Sequence, residues 1–180
     1  KETFIYNELT SGDEIVNYKH IQAKHIVFAE GFSMLNNKFF NYLPLDGTKG
    51  ELLYVKIPDL KLQAIVKSNV FIIPVGNDIY KVGATYNWQD KTDALTIEAK
   101  KELIEGLEKL IDCEYEIIEH VAGVRPTVKD RRPLVGAHYQ HKNVYVLNGL
   151  GTRGVLLAPY LADKLIQNIE NNVPLDPNIN

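Results

Sequence analysis

The chain has 180 residues, 45% hydrophobic and 24% charged, with a formal net charge of -3 and a pI near 6.0. That composition belongs to a folded chain with material for one large domain or two small ones, and it excludes both a disordered chain and the basic footprint of a general nucleic-acid binder. A lone cysteine, Cys113, excludes an internal disulfide and a cysteine metal site and fits a reducing compartment, so a cytoplasmic location is expected. No apolar run approaches the length of about 18 residues that a membrane span requires, and the polar start KETFIYNELTSGDE does not read as a signal peptide.

In chain order, Thr3 to Leu9 and Glu14 to Tyr18 read as two strands around the turn Thr10-Ser11-Gly12-Asp13. A chain that opens at Lys1 directly in such a pattern is expected to be a fragment of a longer protein. His25 to Phe28, Glu51 to Ile57, Val70 to Pro74 and Tyr80 to Thr85 are further strand runs. Asp46-Gly47 and Gly76-Asn77-Asp78 read as hairpin punctuation, so residues 70–85 form a predicted hairpin in an antiparallel sheet with one face covered. Leu95, Ala99, Leu103, Leu107 and Leu110 recur at helical spacing, predicting a helix that Thr92 or Asp93 caps and that runs to Ile111. Tyr115 to Val124 is another strand, Val144 to Asn148 the last one, and residues 155–172 a final helix.

Between that last strand and helix lies NGLGTRG, whose Gly149, Gly151 and Gly154 match G-x-G-x-x-G. A dinucleotide fold also needs a following parallel strand with an acidic residue about 20 residues on. Only one helix and a proline-containing tail follow in this sequence, so the turn is expected to serve something other than a nucleotide phosphate. Its exposed helix N-terminus suits an electron-rich ring edge.

Arg125 stands between Val124 and Pro126, where proline biases it to an extended conformation. A rigid guanidinium at a strand end is the preferred partner of a carboxylate; the alternative is a structural salt bridge. Arg153 in the glycine turn faces a similar choice, its alternative being a solvent-facing or loop-pinning arginine. The cluster Lys129, Asp130, Arg131 and Arg132 reads as a solvated turn. His20, His25, His120, His138 and His141 show no zinc spacing and read as surface or packing residues. Ser33 and Ser68 lack the strand-to-helix elbow of a hydrolase nucleophile.

GVRPTVKDRRPLVG at 123–136 and NVYVLNGLGTRGVLLAPYLADKL at 143–165 together resemble the C-terminal signature of the D-amino-acid oxidase-like FAD-dependent oxidoreductases. That superfamily includes glycine and sarcosine oxidases, D-amino-acid dehydrogenases and the oxidase domain of a tRNA wobble-uridine modifying enzyme. AKHIVFAEGF at 23–32 is similar to its second flavin-domain segment, KGELLYV at 49–55 to the entry into the substrate domain, and VGATYNW at 82–88 to a substrate-domain strand.

The resemblance implies an α+β fold: a largely antiparallel substrate-domain sheet with covering helices, plus an incomplete piece of the FAD-binding α/β domain. Residues 1–43 and 121–180 would belong to the flavin domain and 44–120 to the substrate domain. The family's N-terminal dinucleotide-binding unit has no match here, so the chain purified alone is expected to be colourless. FAD is the implied cofactor, and the implied chemistry is oxidation of the C–N bond of a small amine or amino acid by hydride transfer to the flavin. By the same carry-over Arg125 binds the substrate carboxylate, while Ala29, Gly31, Gly149, Gly151, Thr152, Arg153 and Gly154 bind the cofactor. No residue matches a catalytic acid or base, and no metal ligand is implied. Arg153 stands one position closer to the helix than the arginine glycine oxidases carry in this turn, and the GLGTRG form is closer to the tRNA-modifying oxidase. A modified tRNA base is therefore the alternative substrate, though the net charge disfavours nucleic acid, and a non-catalytic binding module on the same fold is the alternative of a different class. Substrate identity, electron acceptor and oligomeric state stay open.

Overall fold

The computed structural model describes residues 4–12, 14–177 and 179. It is a mixed α+β structure that divides into two compact units, one made of residues 1–47 and 125–180 and the other of residues 48–124. Both divisions fall inside long strands, β5 (Leu45–Lys56) and β9 (Glu116–Val128). No helix among the described residues is long and apolar enough to cross a membrane.

In the first unit, β1 (Leu9–Ser11), β2 (Val16–Tyr18) and β3 (Ile21–Ala23) form an antiparallel sheet, with Leu9 opposite Tyr18. The predicted first strand is thus shorter than expected: Tyr6–Glu8 is a single 3-10 turn and only its end pairs. Thr3 and Asp13, part of the predicted strand and turn, lie outside the described residues.

A second sheet joins β4 (Ile26–Phe28), β10 (Leu134–Ala137) and β11 (Val144–Asn148) in the order β10-β11-β4. Here β11 runs parallel to β4, pairing Val144 with Ile26 and Val146 with Phe28, and antiparallel to β10. Both faces of β11 are covered, as its near-continuous apolar run requires. Val144 and Val146 pack with Phe28, Met34, Phe39 and Phe40 on one side. Tyr145 packs on the other with Val135 and with Leu161 and Leu165 of α2 (Gly154–Asn171). His138 is buried beside this sheet, its Nδ1 accepting the N–H groups of Gln140 and His141 at 3.1 Å each. Burial, with His141 alongside, pushes its pKa below the ordinary value, which suits a neutral packing residue.

The second unit holds a five-stranded sheet in the order β6-β7-β8-β5-β9, where β6 is Val66–Lys67, β7 Phe71–Gly76 and β8 Ile79–Gly83. The β7/β8 hairpin turns through Asn77 and Asp78 at φ of 54° and 56°, the paired left-handed geometry of a two-residue turn matched to strand twist. Helix α1 (Ile97–Glu108) buries Ala99, Leu103 and Leu107, and the last two meet Leu53, Val55, Ile72 and Val82 of the sheet. It starts later than its pattern predicts: Thr96 is the cap, accepting the N–H of Ala99 at 3.3 Å, and Leu95 is exposed. Asp46-Gly47 is not a hairpin turn either. The pair lies inside β5, with the Asp46 carboxylate accepting the Gly47 N–H at 2.7 Å, so strand pairing overrides the local turn preference.

Candidate functional site

Strands β4 and β11 are adjacent and parallel, so the loops that leave their carboxyl ends emerge side by side. Those loops carry Ala29 to Gly31 and Gly149 to Gly154. In open α/β sheets this end of neighbouring parallel strands is where ligands bind. Asn148, the last residue of β11 and 3% exposed, ties the two loops together. Its side-chain amide donates to the carbonyl of Gly31 at 2.9 Å and contacts Met34 Sδ at 3.3 Å, while its Oδ1 accepts the N–H of Gly149 at 2.8 Å. Glu30, between Ala29 and Gly31, is held by the Tyr6 hydroxyl and by Asn37 Nδ2 at 2.7 Å. Burial and the adjacent carboxylate push the Tyr6 pKa up, keeping it a donor.

The glycines in these loops answer to different demands. Gly149 has φ +71°, and a Cβ there would stand 2.8 Å from Val128 Cγ2 and 3.2 Å from the Leu134 backbone nitrogen. The fold itself excludes a side chain at this point. Gly151, at φ +54°, faces Thr127 and Pro126, which draws the end of β9 to the same place. Gly154 differs: its φ is -53°, and a Cβ would meet no atom nearer than Leu150 Cβ at 3.6 Å. The packing of the chain leaves room for a side chain there.

Helix α2 starts at Gly154 behind a 3-10 turn, Gly151–Arg153. Its cap residue, Arg153, makes no side-chain capping bond, and the first turn carries no acidic residue, so the positive end of the dipole is not neutralised locally. Val155 is 97% and Leu156 77% exposed, two apolar side chains at the mouth of a polar backbone terminus. Arg153 Nη2 donates to the Arg131 carbonyl at 2.9 Å, pinning the exposed 129–132 turn against the glycine turn.

Arg125 lies within β9, three residues before its end, rather than at a strand terminus, because β9 continues through Pro126. Proline is admitted there because β9 is an edge of its sheet. Arg125 is half-buried and is engaged by other groups of the chain. Through Pro126 and Thr127 its segment reaches the glycine turn.

A second group of polar residues, not foreseen from the sequence, occupies the unit of residues 48–124. Lys49 and Glu51 are 1% and 2% exposed. Lys49 Nζ bonds Asp90 Oδ2 at 2.5 Å and the Ala94 carbonyl, and lies 3.5 Å from Glu51 Oε1. Glu51 accepts the backbone N–H and hydroxyl of Thr96 at 3.0 and 2.8 Å, which anchors the start of α1 to β5. His120 packs beside this group, its Nε2 buried 2.9 Å from Glu51 Oε2 without a hydrogen bond. The bond to Asp90 raises the Lys49 pKa despite burial, and the Lys49 and Thr92 donors hold Asp90 down to about 2. Burial alone would raise Glu51, but the Thr96 donors and Lys49 outweigh it and hold it low. The signal for this group lay in β5, where Lys49 and Glu51 are in phase with the buried Leu53 and Val55. Among the described residues no group of three or more His, Cys, Asp or Glu is placed to hold a metal ion.

Residues 3–167 match the model of the family described as "FAD dependent oxidoreductase" (DAO). The chain belongs to this family. It is 29% identical to the glycine oxidase of Bacillus subtilis (strain 168), over 84% of the chain and 43% of that protein. It is 27% identical to a tRNA 5-methylaminomethyl-2-thiouridine biosynthesis bifunctional protein of Shewanella halifaxensis, over 81% of the chain and 29% of that protein. Among solved structures, the glycine oxidase of Geobacillus kaustophilus superposes with a TM-score of 0.76 at 21% identity, covering 97% of the chain and 49% of that structure. The iminodiacetate oxidase of Chelativorans sp. BNC1 gives the same score and identity over 94% and 50%. The chain thus spans half or less of each of these relatives.

For a family whose cofactor is FAD, the residues at the loop cluster fit: an uncapped helix terminus for an electron-rich ring edge, a glycine at 154 with open space beside it, and exposed apolar side chains to cover a planar ring.

Proposed function

We propose that this chain forms the flavin-ring side and the substrate side of an FAD-dependent oxidase or dehydrogenase that acts on the C–N bond of a small amine or amino acid. The observation that carries the reading is the convergence of Ala29–Gly31, the glycine turn and the uncapped start of α2 at the carboxyl ends of two adjacent parallel strands. Bound FAD would supply the electron acceptor, the hard part of the chemistry. This chain's own residues would then have three tasks.

The backbone N–H groups of residues 151–155 would face the ring edge that gains negative charge on reduction, offering about 0.3–2 kcal/mol of stabilisation. Gly154 would let the ring approach the helix, and Val155 and Leu156 would exclude water from it. Arg125 would hold the carboxylate of the substrate, orienting the C–N bond. In this reading residues 1–43 and 121–180 serve the flavin and 44–120 the substrate, and Thr152 and Arg153 complete the turn.

The test uses a protein that carries this chain together with the part of its relatives that it does not span. Anaerobic addition of glycine, sarcosine or D-alanine should bleach the flavin absorbance. Arg125→Leu should raise KM and cost about 2–4 kcal/mol in kcat/KM for carboxylated amines while sparing amines without a carboxylate. Equal loss on both classes overturns the carboxylate role. A modified tRNA base is the second reading, favoured by the likeness to the Shewanella halifaxensis protein. Bleaching by the modified tRNA with inertness to all three small amines would decide for it.

A further inference from the structure

The turn that follows β9, Lys129-Asp130-Arg131-Arg132, is exposed at all four residues, and three of them are cations. Its backbone is closed tightly: the Arg131 N–H donates to the Val128 carbonyl at 2.9 Å, and the Arg132 N–H donates to Asp130 Oδ1 at 3.0 Å. Its place is fixed as well. Arg153 Nη2 donates to the Arg131 carbonyl at 2.9 Å, which brings a fourth exposed cation to the turn and ties it to the glycine turn. The end of β9 meets the glycine turn again at Thr127, whose Cγ2 would lie 3.3 Å from a Cβ at Gly151. The cations thus stand at the rim of the candidate flavin site.

Two properties separate this turn from an ordinary solvated loop. Among the described residues none of Lys129, Arg131, Arg132 and Arg153 forms an ion pair, and Asp130, the one carboxylate in the turn, gives an oxygen to the backbone. Four cations against one carboxylate stand out in a chain whose net charge is -3. Arg131 also holds φ at +62°, a left-handed conformation that is unfavourable for a residue with a side chain and that glycine adopts freely. The tip carries an arginine against the local backbone preference.

Unpaired cations concentrated on one exposed turn attract a polyanion, and they need no preformed pocket, because each phosphate that meets a cation releases condensed counterions. A membrane surface calls for apolar side chains among the cations, and residues 129–132 include none. We propose that the 129–132 turn, with Arg153, docks the phosphodiester backbone of an RNA at the rim of the flavin site. The net charge of -3 favours this turn over the rest of the surface as the place where a polyanion settles. The inference deepens the second substrate reading, a modified tRNA base, and rests on that reading for the choice of RNA.

The probe is a fluorescein-labelled tRNA transcript, followed by anisotropy with the flavin-loaded protein that carries this chain together with the part of its relatives that it does not span. Lys129→Gln, Arg131→Gly and Arg132→Gln should each lower the slope of log affinity against log salt by about one. Each should weaken binding about fivefold at about 0.1 M salt, with the flavin absorbance unchanged. Arg131→Gly has a second readout. Because glycine suits the left-handed tip, this variant should keep or raise the denaturant midpoint while it loses tRNA, a pair of effects that a purely structural role does not produce. The proposal is overturned by no measurable binding at about 0.1 M salt, by affinity that the three variants leave unchanged, or by phosphatidylglycerol vesicles binding in place of tRNA (a membrane surface). Losses in the variants without bleaching of the flavin by the modified tRNA uphold the surface and overturn the second substrate reading; bleaching with unchanged affinity in the variants does the reverse.

Discussion

The two polar centres of this chain are built on opposite plans. Around Lys49 and Glu51 both charges are matched by partners in the chain: Asp90, the Ala94 carbonyl and Thr96 hold two residues that are almost fully buried. At the carboxyl ends of β4 and β11 the plan is reversed, with an uncapped helix, a glycine that packing does not demand, and two exposed apolar side chains. A centre that satisfies itself explains its own residues by stability alone. A centre whose residues are not explained by their neighbours is where a ligand belongs.

The sharpest way to break this contrast is Lys49→Met. It leaves Glu51 and Asp90 facing an apolar chain and should cost roughly 2–4 kcal/mol in denaturant unfolding, somewhat below a fully buried pair because Asp90 keeps partial exposure. A loss under about 1 kcal/mol would show that the network is no more than a surface pair. The pH dependence follows from the same groups. Asp90 is depressed, so its contribution is present above the ordinary value of 3.8 and fades as pH falls through about 2. Lys49 is raised, so its contribution is full below 10.5 and fades as pH rises through its higher folded value. The wild-type chain should therefore lose stability at both extremes relative to Lys49→Met, and parallel pH profiles for the two would remove the linkage.

Gly149→Ala should cost about 2–3 kcal/mol, combining a left-handed backbone with a contact against Val128 and Leu134. Asn148→Ala follows at about 1–3 kcal/mol, since it leaves the Gly31 carbonyl and Gly149 N–H without their partner. The smallest stability effect is the most discriminating. Gly154→Ala should leave the fold unchanged or stabilise it by up to about 1 kcal/mol, because the position is helical and has space. In the flavin-loaded protein the same change should lower FAD affinity and shift the flavin absorbance. If Gly154→Ala destabilised the free chain as much as Gly149→Ala, or left flavin binding untouched, the two glycines would not differ as proposed.

Much of this was legible from residue patterns. The Val144 to Asn148 strand, the hairpin around Asn77-Asp78 and the buried face Ala99, Leu103 and Leu107 follow from short-range periodicity and turn chemistry, which need no knowledge of partners. The readings at Asp46-Gly47, at the start of α1 and at the end of β9 were displaced by contacts from elsewhere: strand pairing through β5, the Glu51 carboxylate seizing Thr96, and an edge position that tolerates Pro126. The unforeseen strands β3, β6 and β10 are short and take their stability from neighbours.

By itself the sequence determined the family, the mixed α+β class and the place of the glycine turn between the last strand and the last helix, because motif spacing and apolar period are written locally. Only the tertiary structure decided which parallel strands lie side by side, that Asn148 joins their loops, and that Arg153 pins the 129–132 turn to the glycine turn. The physical reason is range. A propensity or a period acts over a few residues, whereas Asn148 and Gly31 are 117 residues apart in the chain and meet only when the sheet between them has formed.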